Sequence, residues 1–473
     1  MKKGNDCYRE KRYEEAVFHL IEAANLCPKT HNDLLSDIYY NTAAAKKMLK
    51  QWQQAYEYCN LAVHLKQNHI NARLLRAKIA DRLSGDYLKQ ALFDICYLQL
   101  SQKQMDTATN ELKGRVLVRI SKAKVDEYFK SCEQKSLPSA YYIKRFFANF
   151  TRHPLINSAI DDDKLTKIID DANSSKDFNK PEVLLMKATL EVLKNNFFNA
   201  LTLLRKITED LKCDTDLTVN ALILTGTIKA MQWFIEADSN LTNLKNALIF
   251  FDKAIELDNK NADIYFHRSQ CFAISTQFDK AVVDLKKCCS LVPNNPSFVA
   301  ELLRYSFNAA KQLKDDEAKE DVITELKHAY CKYPKSADIL EVYGVILIQQ
   351  HDYETADEIF ELAIKLDKNN ADLYVHRGKW CATEKEEKLK LFHQALEYDD
   401  KCYVAYESLA LFELENNNHD KALMYFDKAL ECSCTVIDCQ QAFYWREAAI
   451  ANRAASELFV VECIRAKTTP TQL

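Results

Sequence analysis

One spacing recurs along the chain: a small residue, a bulky residue four positions later, and a second small residue three positions after that. Spacings of three and four residues bring side chains to the same face of an α-helix, so each copy predicts a helix with a closely packed face. The copies are Ala16/Leu20/Ala23, Ala200/Leu204/Ile207, Ala247/Phe251/Ala254, Ala281/Leu285/Cys288, Ala356/Phe360/Ala363 and Ala422/Phe426/Ala429.

A further small residue precedes most copies by twelve positions, where a first helix would cross the second. These residues are Gly4, Ala188, Ser269, Gly344 and Ala410, and Ala43 stands at the same distance before Ala55. Together the two spacings predict helix-turn-helix units of about 34 residues, the tetratricopeptide repeat. We therefore predict an all-α tetratricopeptide-repeat superhelix of about 10 or 11 repeats in two modules.

Composition supports helices and argues against several classes of enzyme. The 473 residues include only 6 Gly and 8 Pro, too few for an all-β fold or for glycine-rich phosphate loops. No catalytic motif is found, and the 16 cysteines lack the spacing of a zinc site. We expect no catalytic residues, no metal and no cofactor.

Charge is divided unevenly along the chain, which suggests different partners for its two parts. Residues 1–130 contain 22 Lys and Arg against 15 Asp and Glu, although the whole chain has a net charge of −4. The acidic remainder argues against nucleic acid as a partner. No apolar stretch approaches the ~20 residues that cross a bilayer, so the chain as given is expected to be soluble.

The phase of the repeats predicts four segments. Residues 1–102 form a module of three repeats, and residues 103–177 form a helical connector followed by an acidic linker. Residues 178–460 form a second array, with an insertion at 227–246, and residues 461–473 form a tail.

The first helices of such repeats line an inner groove that suits extended or helical peptides. In the first module the predicted groove residues include Asn5, Asn41 and Asn71, whose amides can donate and accept hydrogen bonds. The second groove is predicted to be apolar with two carboxylates, suited to amphipathic segments with basic residues. Its predicted residues are Leu185, Ile223, Phe266, His267, Glu341, Val345, Ile348, Val375, His376, Glu407 and Leu411.

Several stretches go beyond the generic repeat. Among them are the run 143–150, Ile-Lys-Arg-Phe-Phe-Ala-Asn-Phe, the run 40–45, Tyr-Asn-Thr-Ala-Ala-Ala, and residues 447–455. On these the chain resembles the 70-kDa receptor subunit of the mitochondrial outer-membrane protein translocase. The resemblance implies an import receptor on the cytosolic face of the mitochondrial outer membrane, working with other translocase subunits. It further implies that the second array binds mitochondrial precursor proteins.

The same resemblance implies that the first module docks the Glu-Glu-Val-Asp tails of the 70- and 90-kDa heat-shock chaperones. The family's clamp uses Lys, Asn, Asn, Lys and Arg at positions that here hold Met1, Asn5, Asn41, Asn71 and Leu75. The cations at these positions are lost, and the nearby cations are Lys2, Arg73 and Arg76. Because charge-assisted hydrogen bonds are about twice as strong as neutral ones, we predict weakened tail binding.

Two alternatives remain open from the sequence. A cytosolic co-chaperone adaptor would bind chaperone tails without serving mitochondria, and a scaffold would assemble a complex through its outer surfaces. The lost clamp cations count against the first, and any peptide affinity in a groove would count against the second.

Overall fold

The computed structural model describes residues 1–102, 105–131, 137–153, 180–209, 213–235 and 241–468. Within those ranges the regular structure is helical, and no strand occurs. In chain order the helices are α1 Lys2–Arg9, α2 Tyr13–Leu26, α3 Asn32–Met48, α4 Trp52–Leu65, α5 Ile70–Leu83, α6 Tyr87–Ser101, α7 Thr107–Ser131, α8 Ala140–Ala148, α9 Pro181–Leu193, α10 Phe197–Glu209, α11 Thr215–Ile235, α12 Leu241–Leu257, α13 Ala262–Ile274, α14 Phe278–Leu291, α15 Pro296–Leu313, α16 Asp316–Lys332, α17 Ala337–Gln349, α18 Tyr353–Leu366, α19 Ala371–Trp380, α20 Lys385–Tyr398, α21 Tyr403–Glu415, α22 His419–Cys432 and α23 Val436–Thr468.

Most of these helices form pairs of neighbours in the chain. Three pairs run from α1 to α6 and seven from α9 to α22, and the two helices of each pair pack against each other. We refer to the first helix of a pair as its A helix and the second as its B helix. In the pairs whose A helix contains a glycine, that glycine lies in close contact with the bulky residue of the B helix.

The glycines of the A helices leave room for the bulky B-helix residue. A Cβ atom added at Gly344 would lie 2.5 Å from Cζ of Phe360, and one at Gly4 would lie 2.7 Å from Cγ of Leu20. A Cβ atom added at Gly226 would lie 2.6 Å from Cε2 of Phe251, although more residues separate these two in sequence than in the other pairs. The predicted insertion at 227–246 accounts for this longer separation, and its residues 236–240 lie outside the described ranges.

Most turns between an A helix and its B helix use a left-handed residue that is not glycine. Such residues have φ between 56° and 64° at Lys11, Lys50, Asn195, Thr276, Lys314, His351 and Asn417. The next backbone N–H then bonds to a carbonyl five residues earlier, as from Gln277 to Phe272 at 2.9 Å. This bond is part of the Schellman motif, which satisfies the last carbonyls of the helix.

The described contacts divide the chain into two compact units. The first comprises Met1–Lys124 together with Phe443–Leu473, and the second comprises Val125–Ala442. These boundaries differ from the predicted segments 1–102, 103–177, 178–460 and 461–473. The predicted acidic linker, which covers 161–163 and 170–176, lies outside the described residues.

The end of the chain belongs to the first unit because the later part of α23 packs into its core. Ala448, Ala451 and Ala455 are buried with residues of α3 to α7, and Leu458 and Phe459 pack beside them. Small residues at three- and four-residue spacing let the helix approach closely, as in the repeats themselves. Repeat phase alone had assigned these residues to the second array.

Candidate peptide-binding sites

The first unit brings together the two asparagines of the predicted chaperone-tail clamp. Asn5 lies on α1 and Asn41 on α3, and Nδ2 of Asn41 donates to Oδ1 of Asn5 at 3.2 Å. Asn71, at the start of α5, and Lys2 are both exposed. The asparagines can therefore offer neutral hydrogen bonds to a ligand, and Lys2 is a nearby cation that remains in contact with solvent.

Arg73 and Arg76 are not free to bind a ligand carboxylate, which corrects their assignment to the clamp. Arg73 is 2% exposed and Arg76 is 7% exposed. Both donate to the buried Asp94 of α6: Nη1 of Arg73 at 2.8 Å, and Nε and Nη2 of Arg76 at 2.7 Å each. Burial alone would lower the Arg76 pKa, but the hydrogen bond and negative charge of Asp94 outweigh burial and raise the pKa. Arg73 also lies over the ring of Tyr97, 4.0 Å from its centroid.

The residues predicted to line the second groove lie on the A helices α9, α11, α13, α17, α19 and α21, and most of them are buried. Leu185, Ile223, Phe266, His267, Glu341, Ile348, Val375 and Glu407 are buried, whereas Val345, His376 and Leu411 are partly exposed. Some of this burial is packing between repeats. Phe266, for example, stacks on Phe298 with ring centroids 5.0 Å apart.

Another part of the chain contacts two of the predicted groove residues, Glu341 and His267. Residues 137–153, which we name the connector segment, contain α8 and lie along the A helices of the second unit. Ile143, Phe147 and Phe150 of this segment are each less than 5% exposed. The sequence of this stretch is distinctive, but no pattern in it predicts a contact with the groove.

Arg145 is the central contact of the connector segment. Its guanidinium lies 3.2 Å from Glu341 and 3.8 Å from Asp338. Arg304 of α15 approaches Glu341 at 3.7 Å. Burial alone would raise the Glu341 pKa, but the positive charges of Arg145 and Arg304 outweigh it and hold the pKa at about 2. Glu341 is therefore an ionised acceptor for a cation in the groove.

Towards its N-terminal end the connector segment is held by hydroxyl groups. The Tyr141 hydroxyl donates to Asp367 at 2.7 Å, and the Ser139 hydroxyl donates to Asp399 at 2.8 Å. Nζ of Lys401 donates to the carbonyl of Leu137 at 2.7 Å. These contacts reach the repeats built from α18 to α21.

At the other end, Asp263 accepts several hydrogen bonds from the connector segment. Thr151 donates to it through its backbone N–H at 2.8 Å and its hydroxyl at 2.7 Å, and the Arg152 N–H donates at 3.0 Å. Phe150 lies against His267, with ring centroids 4.3 Å apart. Burial lowers the His267 pKa to about 4, so this imidazole is neutral near pH 7.

Two further predicted groove residues, Glu407 and His376, interact with groups of the second unit. Glu407 accepts from the Tyr403 hydroxyl at 2.8 Å and from Gln441 at 3.0 Å, and burial raises its pKa. Burial lowers the His376 pKa although Glu341 and Asp372 oppose that shift. The groove therefore holds its acidic groups in hydrogen-bonded or ion-paired states. Among the described residues there is no cluster of His, Cys, Asp and Glu suited to a metal ion.

Comparison with known proteins agrees with this architecture. Residues 337–370 match the family model of the tetratricopeptide repeat. The chain is 27% identical to the human mitochondrial import receptor subunit TOM70, covering 97% of the chain and 79% of that protein. The Saccharomyces cerevisiae TOM70 is 24% identical over 94% of the chain. A segment covering 31% of the chain is 26% identical to the Plasmodium falciparum Hsp70-Hsp90 organising protein.

The crystal structure of yeast Tom70 has a similar fold, with a TM-score of 0.52, 22% identity and 98% coverage of both chains. The predicted all-α tetratricopeptide fold is therefore confirmed. The resemblance inferred from the sequence is confirmed as well, because the chain is similar to this import receptor over nearly its whole length. No helix among the described residues is both long and apolar enough to span a membrane.

Proposed function

We propose that this chain is a non-enzymatic receptor for mitochondrial protein import, acting at the cytosolic face of the outer membrane. Its similarity to TOM70 across 97% of the chain supports the assignment. We further propose that the second unit binds precursor proteins along its A helices. The observation that carries this step is the connector segment, a basic and aromatic stretch that the same face already accommodates through Glu341 and Asp263.

A binding assay with a full-length mitochondrial carrier precursor tests this function. The purified chain should retain the precursor and should not retain a cytosolic protein of similar size. A negative charge placed at Leu411, a partly exposed predicted groove residue, should weaken retention about tenfold, because a charge opposes apolar contact. Leu362→Asp is the matched control, since Leu362 is 39% exposed on the B helix α18. Equal loss in both variants, or none in Leu411→Asp, would contradict the groove assignment.

Chaperone docking through the first unit is a separate part of the proposal, and we expect it to be weak. A titration with a Glu-Glu-Val-Asp peptide should show low affinity, because the asparagine pair provides only neutral hydrogen bonds at the clamp positions. Replacing Asn71 by Lys and Leu75 by Arg should raise affinity at least tenfold, since a hydrogen bond to a charged group contributes about 1.5–3 kcal/mol. The gain should shrink at high salt.

The control for this titration adds the same charges elsewhere in the first unit. Asn110→Lys with Val118→Arg places them on the exposed side of α7. An equal gain in this control would show general attraction rather than a clamp.

The similarity to the Hsp70-Hsp90 organising protein favours a second candidate, a cytosolic co-chaperone adaptor. This candidate requires tight tail binding by the unaltered chain. Tight tail binding without retention of the carrier precursor would therefore indicate the adaptor, whereas retention of the precursor would indicate the import receptor.

A further inference from the structure

Aspartates at equivalent repeat positions contact the connector segment. One row stands four residues after the last small residue of a B helix, a position that recurs in three repeats. Its contacts are Asp258 with Arg152 at 2.8 Å, Asp367 with Tyr141 at 2.7 Å, and Asp399 with Ser139 at 2.8 Å. Because the aspartate stands at the same repeat position each time, the contacts of the connector segment follow the period of the repeats.

A second row of aspartates lies five residues further on, near the start of the following A helix. Asp263 accepts from Thr151, and Asp338 pairs with Arg145. Asp372 occupies the same repeat position, and its negative charge contributes to raising the Arg145 pKa. The two rows therefore present a regular set of acceptors along the face that the connector segment covers.

The connector segment crosses these repeats in the reverse of their chain order. Ser139 contacts Asp399, Arg145 contacts Glu341, and Thr151 contacts Asp263. It thus lies across successive repeats as a bound peptide would, with its polar groups on the aspartates and its apolar side chains buried. Phe147, for example, packs with Leu190 and Leu193 of α9.

The connector segment also has the chemistry that the proposed function assigns to a precursor segment. Residues 141–147 read Tyr-Tyr-Ile-Lys-Arg-Phe-Phe, so basic and aromatic residues stand side by side. The hydroxyl and basic groups of such a precursor segment can bond to the same aspartates in place of those of the connector segment. We propose that the connector segment is an intramolecular ligand of the second unit, and that a basic, aromatic precursor segment binds by displacing it from the two aspartate rows. This inference rests on the proposed function.

Displacement has a predictable effect on affinity. A tethered ligand acts at a high effective concentration, of millimolar order for short flexible linkers, so it competes strongly with a free peptide. The apparent affinity for the free peptide falls in proportion to the fraction of molecules whose groove is open. Weakening the hydrogen bonds of the connector segment should therefore strengthen the binding of a peptide added from outside.

A fluorescein-labelled peptide of residues 137–153 is a suitable probe, because the structure shows the contacts that this sequence makes. We would titrate it by anisotropy against the full chain and against a triple variant with Ser139→Ala, Tyr141→Phe and Arg152→Gln. The variant loses three polar contacts between the connector segment and the repeats, together with the Ser139 cap at the start of α8, and keeps the buried aromatic residues of the segment. It should bind the peptide about tenfold more tightly, since each lost hydrogen bond weakens the competing segment.

The matched control makes the same kinds of change away from the connector segment. It carries Ser290→Ala, Tyr353→Phe and Arg205→Gln, whose polar contacts go to Lys287, His351 and Glu209 respectively. This control should bind the peptide as the unaltered chain does. Equal affinity in all three proteins, or no binding by any of them, would overturn the proposal.

Hydrogen exchange tests displacement in the unaltered chain, independently of any variant. The amides of Ala140–Ala148 lie in α8 and should be protected in the free protein. With the carrier precursor bound, these amides should lose protection. If the precursor binds while they stay protected, displacement is wrong and the proposed function stands. If the precursor is not retained at all, the proposed function fails, and the peptide titration still decides whether the groove accepts a competing ligand.

Discussion

At the scale of single residues, the closest packing lies where a glycine of an A helix meets an aromatic ring of its B helix. A Cβ atom at Gly344 would lie 2.5 Å from Phe360 Cζ, inside the van der Waals contact distance, and Phe360 is fully buried. Gly344→Ala should therefore lower the free energy of unfolding by about 1–3 kcal/mol, the usual cost of overpacking a core. Urea denaturation followed by circular dichroism measures this change.

Gly114→Ala is the matched comparison, because a Cβ atom there meets no atom within 4 Å. Gly114 lies inside α7, where alanine is the better helix former by about 1 kcal/mol. This variant should be stabilised. If both variants shift in the same direction, the contact with Phe360 is not the cause.

His267 makes stability depend on pH. Its pKa is about 4 in the folded chain against 6.5 for an ordinary histidine, because burial penalises the charged imidazole. As pH falls below 6.5 the unfolded chain takes up the proton first, so stability is lost between pH 6.5 and about 4. The full loss is about 3 kcal/mol by the linkage relation.

His267→Phe removes this titration and keeps a ring against Phe150. The slope of unfolding free energy against pH should become shallower between pH 4 and 6.5 than in the unaltered chain. His328→Gln, an exposed change on α16, is the control and should leave the slope as it is. An unchanged slope in His267→Phe would show that this imidazole is not the group responsible.

At the scale of helices and turns, Thr276 is the β-branched residue among the left-handed turn residues named above. Its φ is 59°, and a β-branched side chain is unfavourable in that region. Thr276→Gly should raise the free energy of unfolding by up to about 1 kcal/mol, since left-handed backbone costs an L-residue about 1–2 kcal/mol and part is returned as unfolded-chain entropy.

The same substitution inside a helix should act in the opposite direction. Thr324 is exposed within α16, and Thr324→Gly should destabilise the chain through the poor helix propensity of glycine. Thermal melts of the two variants compare them directly. Destabilisation by Thr276→Gly would mean that the threonine side chain contributes more than its backbone conformation costs.

The helix pairs could be predicted from the sequence because their contacts are local and repeat. Gly4 lies against Leu20 and Gly344 against Phe360 at the same separation, so the contact leaves a periodic record. The connector segment leaves no such record, because Ser139 meets Asp399 across 260 positions and only once. The residues that the connector segment contacts are periodic in the sequence, since Asp258, Asp367 and Asp399 recur at one repeat position. The position of a single contacting segment, however, cannot be read from a period.

Arg73 and Arg76 show a second limit of sequence reasoning. The sequence does not show whether an arginine is exposed or buried. Arg73 and Arg76 are buried because both pair with Asp94 of the next helix, and this contact is visible only in the structure. The asparagines differ in this respect. Asn5 and Asn41 occupy different repeat positions, one residue after Gly4 and two residues before Ala43, but both positions are predicted to face the groove, where their side chains meet.

At the scale of the whole molecule, the end of the chain stabilises the unit that contains its beginning. Leu458 and Phe459 pack on the core of the first unit, and the Tyr97 hydroxyl bonds to Glu462. Replacing Leu458 and Phe459 by alanine should destabilise the first unit by several kcal/mol, given about 2–5 kcal/mol for each large-to-small change in a core. Hydrogen exchange should show lost protection in residues 1–124 and little change in 181–442.

Val460→Ala with Val461→Ala is the control on the same helix, because these side chains are 54% and 41% exposed. It should leave protection of the first unit close to that of the unaltered chain. Equal losses in the two double variants would indicate a general weakening of α23 rather than loss of its packed face.

The reversed path of the connector segment affects how cooperatively the second unit unfolds. A plain repeat array holds each repeat only by its neighbours, so it can unravel one repeat at a time from either end. Here a single stretch joins α9, α13, α17 and the turns after α18 and α20. A repeat cannot leave without breaking contacts that also secure distant ones. The connector segment therefore couples the stabilities of these repeats, and we expect them to unfold in one cooperative transition rather than one after another.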